Sequence, residues 1–410
     1  MTFLYQVGIF LYSTFIQFIS VFNDKARLFV QGRKNWQANL AAKIDSGAKY
    51  IWFHCASLGE FEQGRPVIEE LKQKFPEYKI VLTFFSPSGY EIRKNYPLVD
   101  VVTYLPLDTK RNVSTFLNIV KPEKVFFVKY EFWYFYISEL KRRNIPLYII
   151  SAIFRENQQF FKDTPVGKWY RKMLFNVEHF FIQNEKSGEL LKTVGISNFT
   201  VSGDTRFDRV AAIANSAKEI QIVEKFKGNS LLIIAGSTWK PDEELLAEFI
   251  NQSSLKFIIA PHEVSEGNIN RIHQLLKKLA ISFSKVTESE IDRFQVLIID
   301  SVGLLSSLYR YGNIAYIGGG FGVGIHNILE AATFGLPVIF GPNYKRFKEA
   351  VDLIDEGGAF SISEYNELRL ALNNLIDNEN KRVKASEICR TYVAKNVGST
   401  KIIIKKVFNI

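Results

Sequence analysis

From residue 49 onward, short apolar runs alternate with segments of helical period. Residues 50–54, 79–85, 101–104, 124–128 and 147–151 read as strands. Between them, 61–75, 88–96, 113–120 and 132–143 carry the 3.6-residue spacing of amphipathic helices. Strands alternating with helices predict a mostly parallel sheet covered on both faces. A polar, glycine-poor stretch follows, and then a second alternation. Its strands are 231–235, 257–260, 296–299, 314–317 and 337–340. The expected fold class is α/β, with two Rossmann-like doubly wound domains facing a cleft. The expected divisions are an N-terminal hydrophobic helix (1–22), a first domain (23–208), a linker (209–229), a second domain (230–394) and a tail (395–410). The tail is amphipathic and is expected to pack back on the first domain.

The hydropathy pattern is different at the start of the chain. Residues 2–22 contain no charge, and Lys25, Arg27, Arg33 and Lys34 follow. The length is just enough to cross a bilayer core. Gln6, Ser13, Thr14, Gln17 and Ser20 weaken the hydropathy, and no small-residue cleavage site for a signal peptide is present. The segment therefore reads as an N-terminal anchor, an in-plane helix, or a helix packed on the body. The basic residues behind it predict a cytoplasmic body by the positive-inside rule.

The most informative stretch is 312–342, GNIAYIGGGFGVGIHNILEAATFGLPVIFGP. A strand runs into Gly318, Gly319 and Gly320. A glycine turn follows, then a helix expected to open at His326 and to end near Gly335, then a second strand. In open α/β sheets ligands bind at the carboxyl ends of strands. Glycines let backbone N–H groups approach a phosphate, and a helix N-terminus favours negative charge. Glu330, one turn into the expected helix, is placed to accept hydrogen bonds from a ribose. The pattern suits a nucleotide. There is no Walker lysine motif and no early G-x-G-x-x-G, so simple NTPase and dehydrogenase readings are weak.

Composition adds two constraints. The 410 residues, 47% hydrophobic and 23% charged, suffice for two cores. The net charge of +10 is spread in short blocks, which favours anionic lipid or substrate over a nucleic-acid arm. Cys55 and Cys389 are too few for a disulfide framework and point to a reducing compartment. No H-E-x-x-H, D-x-D pair or Cys/His cluster calls for a metal, and no cofactor is implied.

His54-Cys55-Ala56-Ser57-Leu58-Gly59-Glu60 joins the first strand to the first helix. A carboxylate in such a loop is well placed as a general base, and equally well placed as a helix cap. The segment resembles the H-A-A-S-x-G-E signature of 3-deoxy-D-manno-octulosonic acid (Kdo) transferases. The resemblance continues along nearly the whole chain. Thr83–Gly89 resembles T-x-x-S-x-x-G, Tyr104–Asp108 matches Y-x-P-x-D, and Glu131-Phe132-Trp133 matches the end of E-x-E-x-W. Gly203–Asp208 resembles G-N-x-K-F-D and Gly236-Ser237-Thr238 matches G-S-T. Asp300–Gly303 resembles D-T-x-G, and Gly324–Glu330 resembles G-G-H-N-x-L-E.

The resemblance implies a GT-B fold and inverting transfer of Kdo from CMP-Kdo to a lipid A precursor in lipopolysaccharide biosynthesis. It implies Glu60 as the base that activates a glucosamine 6-hydroxyl, with Arg206 and Glu131 also catalytic. The implied substrate-binding positions are Ser57, Gly59, Ser86, Gly236, Ser237, Thr238, Pro261, His262, Val302, Gly303, Leu304, Gly319, Gly320, Asn327, Ile328, Leu329 and Glu330. The implied setting is the cytoplasmic side of the inner membrane, with no nucleic-acid partner. Four positions depart from the family pattern. Lys129 replaces the first acid of E-x-E-x-W, Arg206 replaces a lysine, Ala260-Pro261-His262-Glu263 stands for P-R-H so that an arginine is missing beside His262, and Ser151-Ala152-Ile153 replaces N-A-R. Two alternatives stand beside this reading: a GT-B transferase or epimerase using a UDP-sugar, and a catalytically inactive, membrane-tethered glycan-binding protein. Aromatics at Phe132–Tyr134, Tyr136, Phe160 and Phe161 read either as a guide for acyl chains or as ordinary core.

Overall fold

A computed structural model of the chain describes residues 1–217 and 219–410; residue 218, within the expected linker, lies outside the described residues. The chain forms two compact units. One comprises Met1–Arg209 with Gly398–Ile410, the other Val210–Val397. Among the described residues each unit contains one seven-stranded sheet, and every strand pairing is parallel.

The first unit contains β1 (Lys49–Cys55), β2 (Tyr78–Phe84), β3 (Val101–Tyr104), β4 (Pro122–Val128), β5 (Leu147–Ala152), β6 (His179–Ile182) and β7 (Phe199–Val201). Their order is β3-β2-β1-β4-β5-β6-β7. Helices cover both faces, so the strands read as continuous apolar runs rather than alternating ones. The period of two survives in the packing. Trp52, Val81, Val125 and Phe127 enter the core on one face, while Ile51, Phe53, Ile80, Leu82 and Phe126 enter the core on the other. The second unit contains β8 (Leu232–Thr238), β9 (Lys256–Pro261), β10 (Ala280–Ser282), β11 (Val296–Ile298), β12 (Ile314–Ile317), β13 (Val338–Phe340) and β14 (Ala359–Ser361). Their order is β10-β11-β9-β8-β12-β13-β14. The strand order reverses between β1 and β4 in one sheet, and between β8 and β12 in the other.

Several elements differ from the pattern read in the sequence. Strands β6, β7, β10 and β14 have three or four residues, too few to show a period. Residues 209–229 are largely helical, in Arg206–Ser216 and Gln221–Lys227. Their polar composition hides the buried anchors Val210, Val223 and Phe226. The tail forms helix Ser399–Phe408 in the first unit, with Ile403, Ile404 and Val407 in its core. Asp208 holds the start of that helix by accepting from the backbone N–H groups of Gly398 (2.6 Å) and Thr400 (2.7 Å) and from Thr400 Oγ1 (2.8 Å).

The N-terminal segment forms helix Thr2–Ile19, with one face docked on the first unit. Tyr5 donates to the buried Asp108 at 2.6 Å and packs its ring among Tyr134, Phe135 and Trp169. Tyr12 packs on Phe29 and Phe85. On the other face Phe3, Leu4, Phe10, Leu11, Phe15 and Phe18 are each about 60–70% exposed. Arg33, counted among the basic residues behind the helix, instead turns inward. It donates to the carbonyls of Phe29, Phe85 and Leu105, and burial lowers its pKa to about 10. The aromatics at Tyr136 and Phe160 are core, with Phe132, Trp133, Tyr134 and Phe161 packed against it.

Candidate active site

In the first unit the candidate residues follow the carboxyl ends of β1, β2, β4 and β7. Ser57 caps helix Leu58–Lys74, which therefore starts three residues before the expected position. Glu60 completes a capping box: its Oε2 accepts from Ser57 N at 3.1 Å and also from Ser57 Oγ. Both bonds go to one oxygen. Oε1 carries no protein hydrogen bond among the described residues. Capping and base chemistry are therefore compatible here, and the cap fixes the carboxylate that would take a proton. Ser86 caps helix Pro87–Arg93, and its N–H donates to Ala56 O at 2.7 Å, which ties the two loops together. Gly59 is exposed beside Ser57.

Glu131 follows β4 and is held in the same way. Its Oε2 accepts from Trp133 Nε1 at 2.8 Å and lies 3.2 Å from His54 Nε2. His54 is fully buried, with Nδ1 2.9 Å from Thr83 Oγ1, and Thr83 in turn accepts from Trp52 Nε1 at 2.8 Å. Nδ1 also lies 3.2 Å from Thr83 O, and Nε2 3.3 Å from Trp133 Nε1, so which ring nitrogen donates depends on the tautomer. A hydrogen-bond chain thus runs from the core to the second carboxylate. His54 and Thr83 have no role in the sequence pattern; a histidine and a threonine in otherwise apolar strands are the available signal.

Arg206 starts its helix paired with Asp204, donating from Nε at 2.9 Å, and Gln63 donates to both oxygens of the buried Asp204 at 3.0 Å. Tyr130 lies within reach of the charges of this group. Burial raises its phenol pKa, and the charges of Arg155, Glu60, Asp204 and Arg206 act on it as well. Lys129, at the turn out of β4, has a φ of 69°, and Ser151, ending β5, has a φ of 50°. Left-handed backbone at non-glycine residues concentrates where strands hand over to functional loops. A groove of about 550 Å³ extends from Glu131 and Trp133 past Phe160 to Tyr5 and Ile9 of the N-terminal helix.

In the second unit the candidates surround the ends of β8, β9 and β12. Ser237 has a φ of 53°, and a side chain at Gly236 would meet the Tyr309 hydroxyl at 2.0 Å. Thr238 turns inward and donates to Glu243 at 2.9 Å. Pro261 ends β9, and the N–H of His262 donates to Thr238 O at 2.9 Å. Val302, 81% exposed, and Gly303 with a φ of 93° form an open loop that ends at Leu304.

The glycine turn is built differently from the phosphate cradle read in the sequence. Gly318 N donates to Gly236 O, Gly319 N to Asp242 Oδ2 at 3.0 Å, and Gly322 N and Gly324 N to Gly319 O. These donors are used within the chain. The glycines serve close packing instead: a Cβ on Gly318 would lie 2.3 Å from Ser237 O, and one on Gly320 would lie 2.6 Å from Gly341. The helix expected to open at His326 spans only Leu329–Ala332. Asn327 delays it, because its Oδ1 accepts from Leu329 N while its Nδ2 donates to Glu330. Glu330 is thus the second helical residue, and it accepts from Ser306 Oγ at 2.7 Å and from Asn327 at 3.2 Å. Ile328 and Leu329 are buried, so a ligand here meets backbone and the polar pair Asn327–Glu330. Among the described residues no cluster of His, Cys, Asp and Glu could hold a metal ion.

Residues 31–209 match the family described as 3-deoxy-D-manno-octulosonic-acid transferase (kdotransferase). The match covers the loop of Ser57 and Glu60, Glu131 and Arg206. Curated relatives carry the name 3-deoxy-D-manno-octulosonic acid transferase. That of Aquifex aeolicus is 29% identical over 83% of this chain and 89% of its own length. That of Haemophilus influenzae is 26% identical over 94% and 92%. Over residues 31–209 the chain matches the Kdo transferase family, and relatives spanning most of its length are Kdo transferases, which are glycosyltransferases. The solved structure of a UDP-GlcNAc 2-epimerase from Neisseria meningitidis, 18% identical, covers 88% of this chain and all of its own with a TM-score of 0.61. MurG of Acinetobacter baumannii, 12% identical, covers the same shares with a TM-score of 0.54. Both likenesses concern the GT-B-like fold alone.

Proposed function

We propose that the protein is an inverting transferase that moves Kdo from CMP-Kdo to the lipid A precursor lipid IVA. The observation that carries this reading is the Glu60 carboxylate, fixed through Oε2 by its own helix cap and open through Oε1. In the reaction Glu60 takes the proton of an acceptor hydroxyl as that oxygen bonds to the anomeric carbon of Kdo. The bond from that carbon to the CMP phosphate oxygen breaks, and CMP leaves with the electron pair. Glu131, oriented by His54 and Trp133, supports charge around the acceptor, and Arg206 supplies a cation. In the second unit, Ser237 and Asn327 offer donors to the phosphate, Glu330 takes the ribose, and the open 302–304 loop takes the cytosine.

The same reading places the protein at the cytoplasmic face of the inner membrane. The N-terminal helix supports an in-plane attachment. Its length of about 27 Å falls just short of a bilayer core. It is fixed to the body at both Tyr5 and Tyr12, and it turns a mostly apolar face outward, interrupted by Thr14 and Gln17. Lys25, Arg27 and Lys34 stand beside it for anionic headgroups. The helix also forms one wall of the groove that leads to Glu131.

Mass spectrometry of lipid IVA incubated with CMP-Kdo and the full-length protein tests the function. The expected product is heavier by whole Kdo residues, and its mass counts them. Turnover of UDP-sugars with CMP-Kdo left intact would replace this reading with the UDP-sugar alternative.

A further inference from the structure

One cavity of the second unit brings Trp239 and Phe321, which have no role above, beside Gly319. It measures about 330 Å³ and is lined by Trp239, Asp242, Gly319, Phe321, Val323 and His326. The Asp242 carboxylate is buried and already accepts from Trp239 N, Gly319 N and the Tyr316 hydroxyl. One of its walls is a column of aromatic rings. Trp239 stacks on His262 with centroids 4.4 Å apart and planes at 23°, and His262 stacks on His326 at 4.7 Å and 23°. The Trp239 indole N–H donates to His326 Nε2 at 3.0 Å. That bond requires a lone pair on Nε2, so His326 carries its proton on Nδ1, and among the described residues Nδ1 has no partner. Trp239 remains 38% exposed. At the rim stands Arg346. A Cβ on Gly324 would lie 2.4 Å from its guanidinium, and Arg346 donates to Val323 O from the same side.

An exposed indole, an imidazole N–H and a guanidinium around one small cavity describe a particular ligand class. Flat C–H faces of a pyranose pack on aromatic rings, while a carboxylate seeks an N–H donor and an arginine. We propose that this cavity seats the sugar of the donor as an acidic pyranose, with its ring against Trp239 and its carboxylate between His326 and Arg346. Trp239 has two tasks: it supplies the stacking face and holds His326 in the tautomer that donates. The inference rests on the reading of the donor as a CMP-linked acidic sugar, and it assigns the sugar end of that donor, not the nucleotide end.

The test separates those ends. Full-length wild type, Trp239→Ala, Trp239→Phe and Arg346→Gln are compared for KM toward CMP-Kdo and for affinity toward CMP alone, with melting temperatures recorded. Trp239→Ala and Arg346→Gln are each expected to raise KM for CMP-Kdo about 10-fold or more, the scale of one contact to a charged group. CMP affinity is expected to stay within about 2-fold, because a ligand without the sugar does not reach the cavity. Trp239→Phe keeps a stacking face but frees His326 Nε2. It is expected to raise KM less than Trp239→Ala and to change the pH dependence of KM. Equal losses for CMP and CMP-Kdo would overturn the assignment, and so would an unchanged KM in both Trp239→Ala and Arg346→Gln at unchanged melting temperature. A wild type that neither binds CMP-Kdo more tightly than CMP nor forms Kdo product would instead sink the donor reading, and with it this inference.

Discussion

The two sheets reverse their strand order at equivalent places, yet the chemistry at these two switch points is opposite. Beside β1 and β4 stand two carboxylates, each tied to the protein through Oε2: Glu60 to Ser57, and Glu131 to Trp133 and His54. Beside β8 and β12 stand Gly236, Ser237 and a run of glycines packed mainly on backbone, with Asp242 at Gly319 and Arg346 at Gly324 as the charged neighbours. Crevices at such reversals are where open α/β sheets bind ligands. On the proposed reading, the difference divides the reaction between the two units. One switch point carries the carboxylates proposed to move protons and oppose charge. The other carries shape, with chains packed so closely that only glycine fits.

The sharpest way to break this comparison is to neutralise the charged switch point without changing its shape. Glu60→Gln keeps an oxygen that can accept from Ser57 and so preserves the cap. Turnover is expected to fall by at least about 10²-fold, the usual share of a positioned base, with the melting temperature nearly unchanged. A mutant that turns over normally would leave Glu60 as a cap alone. Glu131→Gln is expected to cost less, because Glu131 supports charge in this scheme and takes no proton.

A smaller effect is expected at the neutral switch point, where Glu330 is the exception. Its carboxylate already accepts from Ser306 and Asn327, so it is preorganised for a further donor. Glu330→Ala is expected to weaken CMP binding by roughly 1.5–3 kcal/mol, the range for a hydrogen bond to a charged group. Calorimetry returning wild-type CMP affinity would remove the ribose role and would make Glu330 a brace for the Asn327 turn.

The contrast between the switch points explains what could be read from the sequence. Tyr50–His54 and Lys124–Val128 stood out as strands because both faces of the sheet are buried and the runs are unbroken. Glu60 stood out because a carboxylate three residues after a serine is a capping signature, although the sequence left its function open between cap and base. The His54–Thr83 relay was hidden, because its members lie 29 residues apart and meet only through the parallel register of β1 and β2. The Trp239–His262–His326 column was hidden for the same reason: its members follow β8, β9 and β12, which the sheet places side by side. Helix 329–332 was overextended in the sequence reading because Leu329–Phe334 has good helical composition. A single Asn side chain bonding to the backbone decided its start.

The smallest effect sharpens the claim that the second switch point is built for shape. Gly318 has ordinary backbone angles, so only space forbids a side chain there. A methyl group would lie 2.3 Å from Ser237 O and 2.6 Å from Thr238 Cα, both rigid backbone atoms. Gly318→Ala must therefore push β8 and β12 apart, a kind of overpacking that costs about 1–3 kcal/mol. For a unit of this size that is a fall of about 2–4 °C in Tm per kcal/mol. Gly59, at the charged switch point, has only Ser57 Oγ near its missing side chain, at 3.7 Å. It lies in the first turn of a helix, where alanine is the better helix former by up to about 1 kcal/mol. Gly59→Ala is expected to leave Tm unchanged or raise it slightly. Thermal melts of the two variants thus carry opposite signs if one switch point is packed and the other open. Equal Tm for both would mean that β8 and β12 yield freely, and the glycines would then need another explanation.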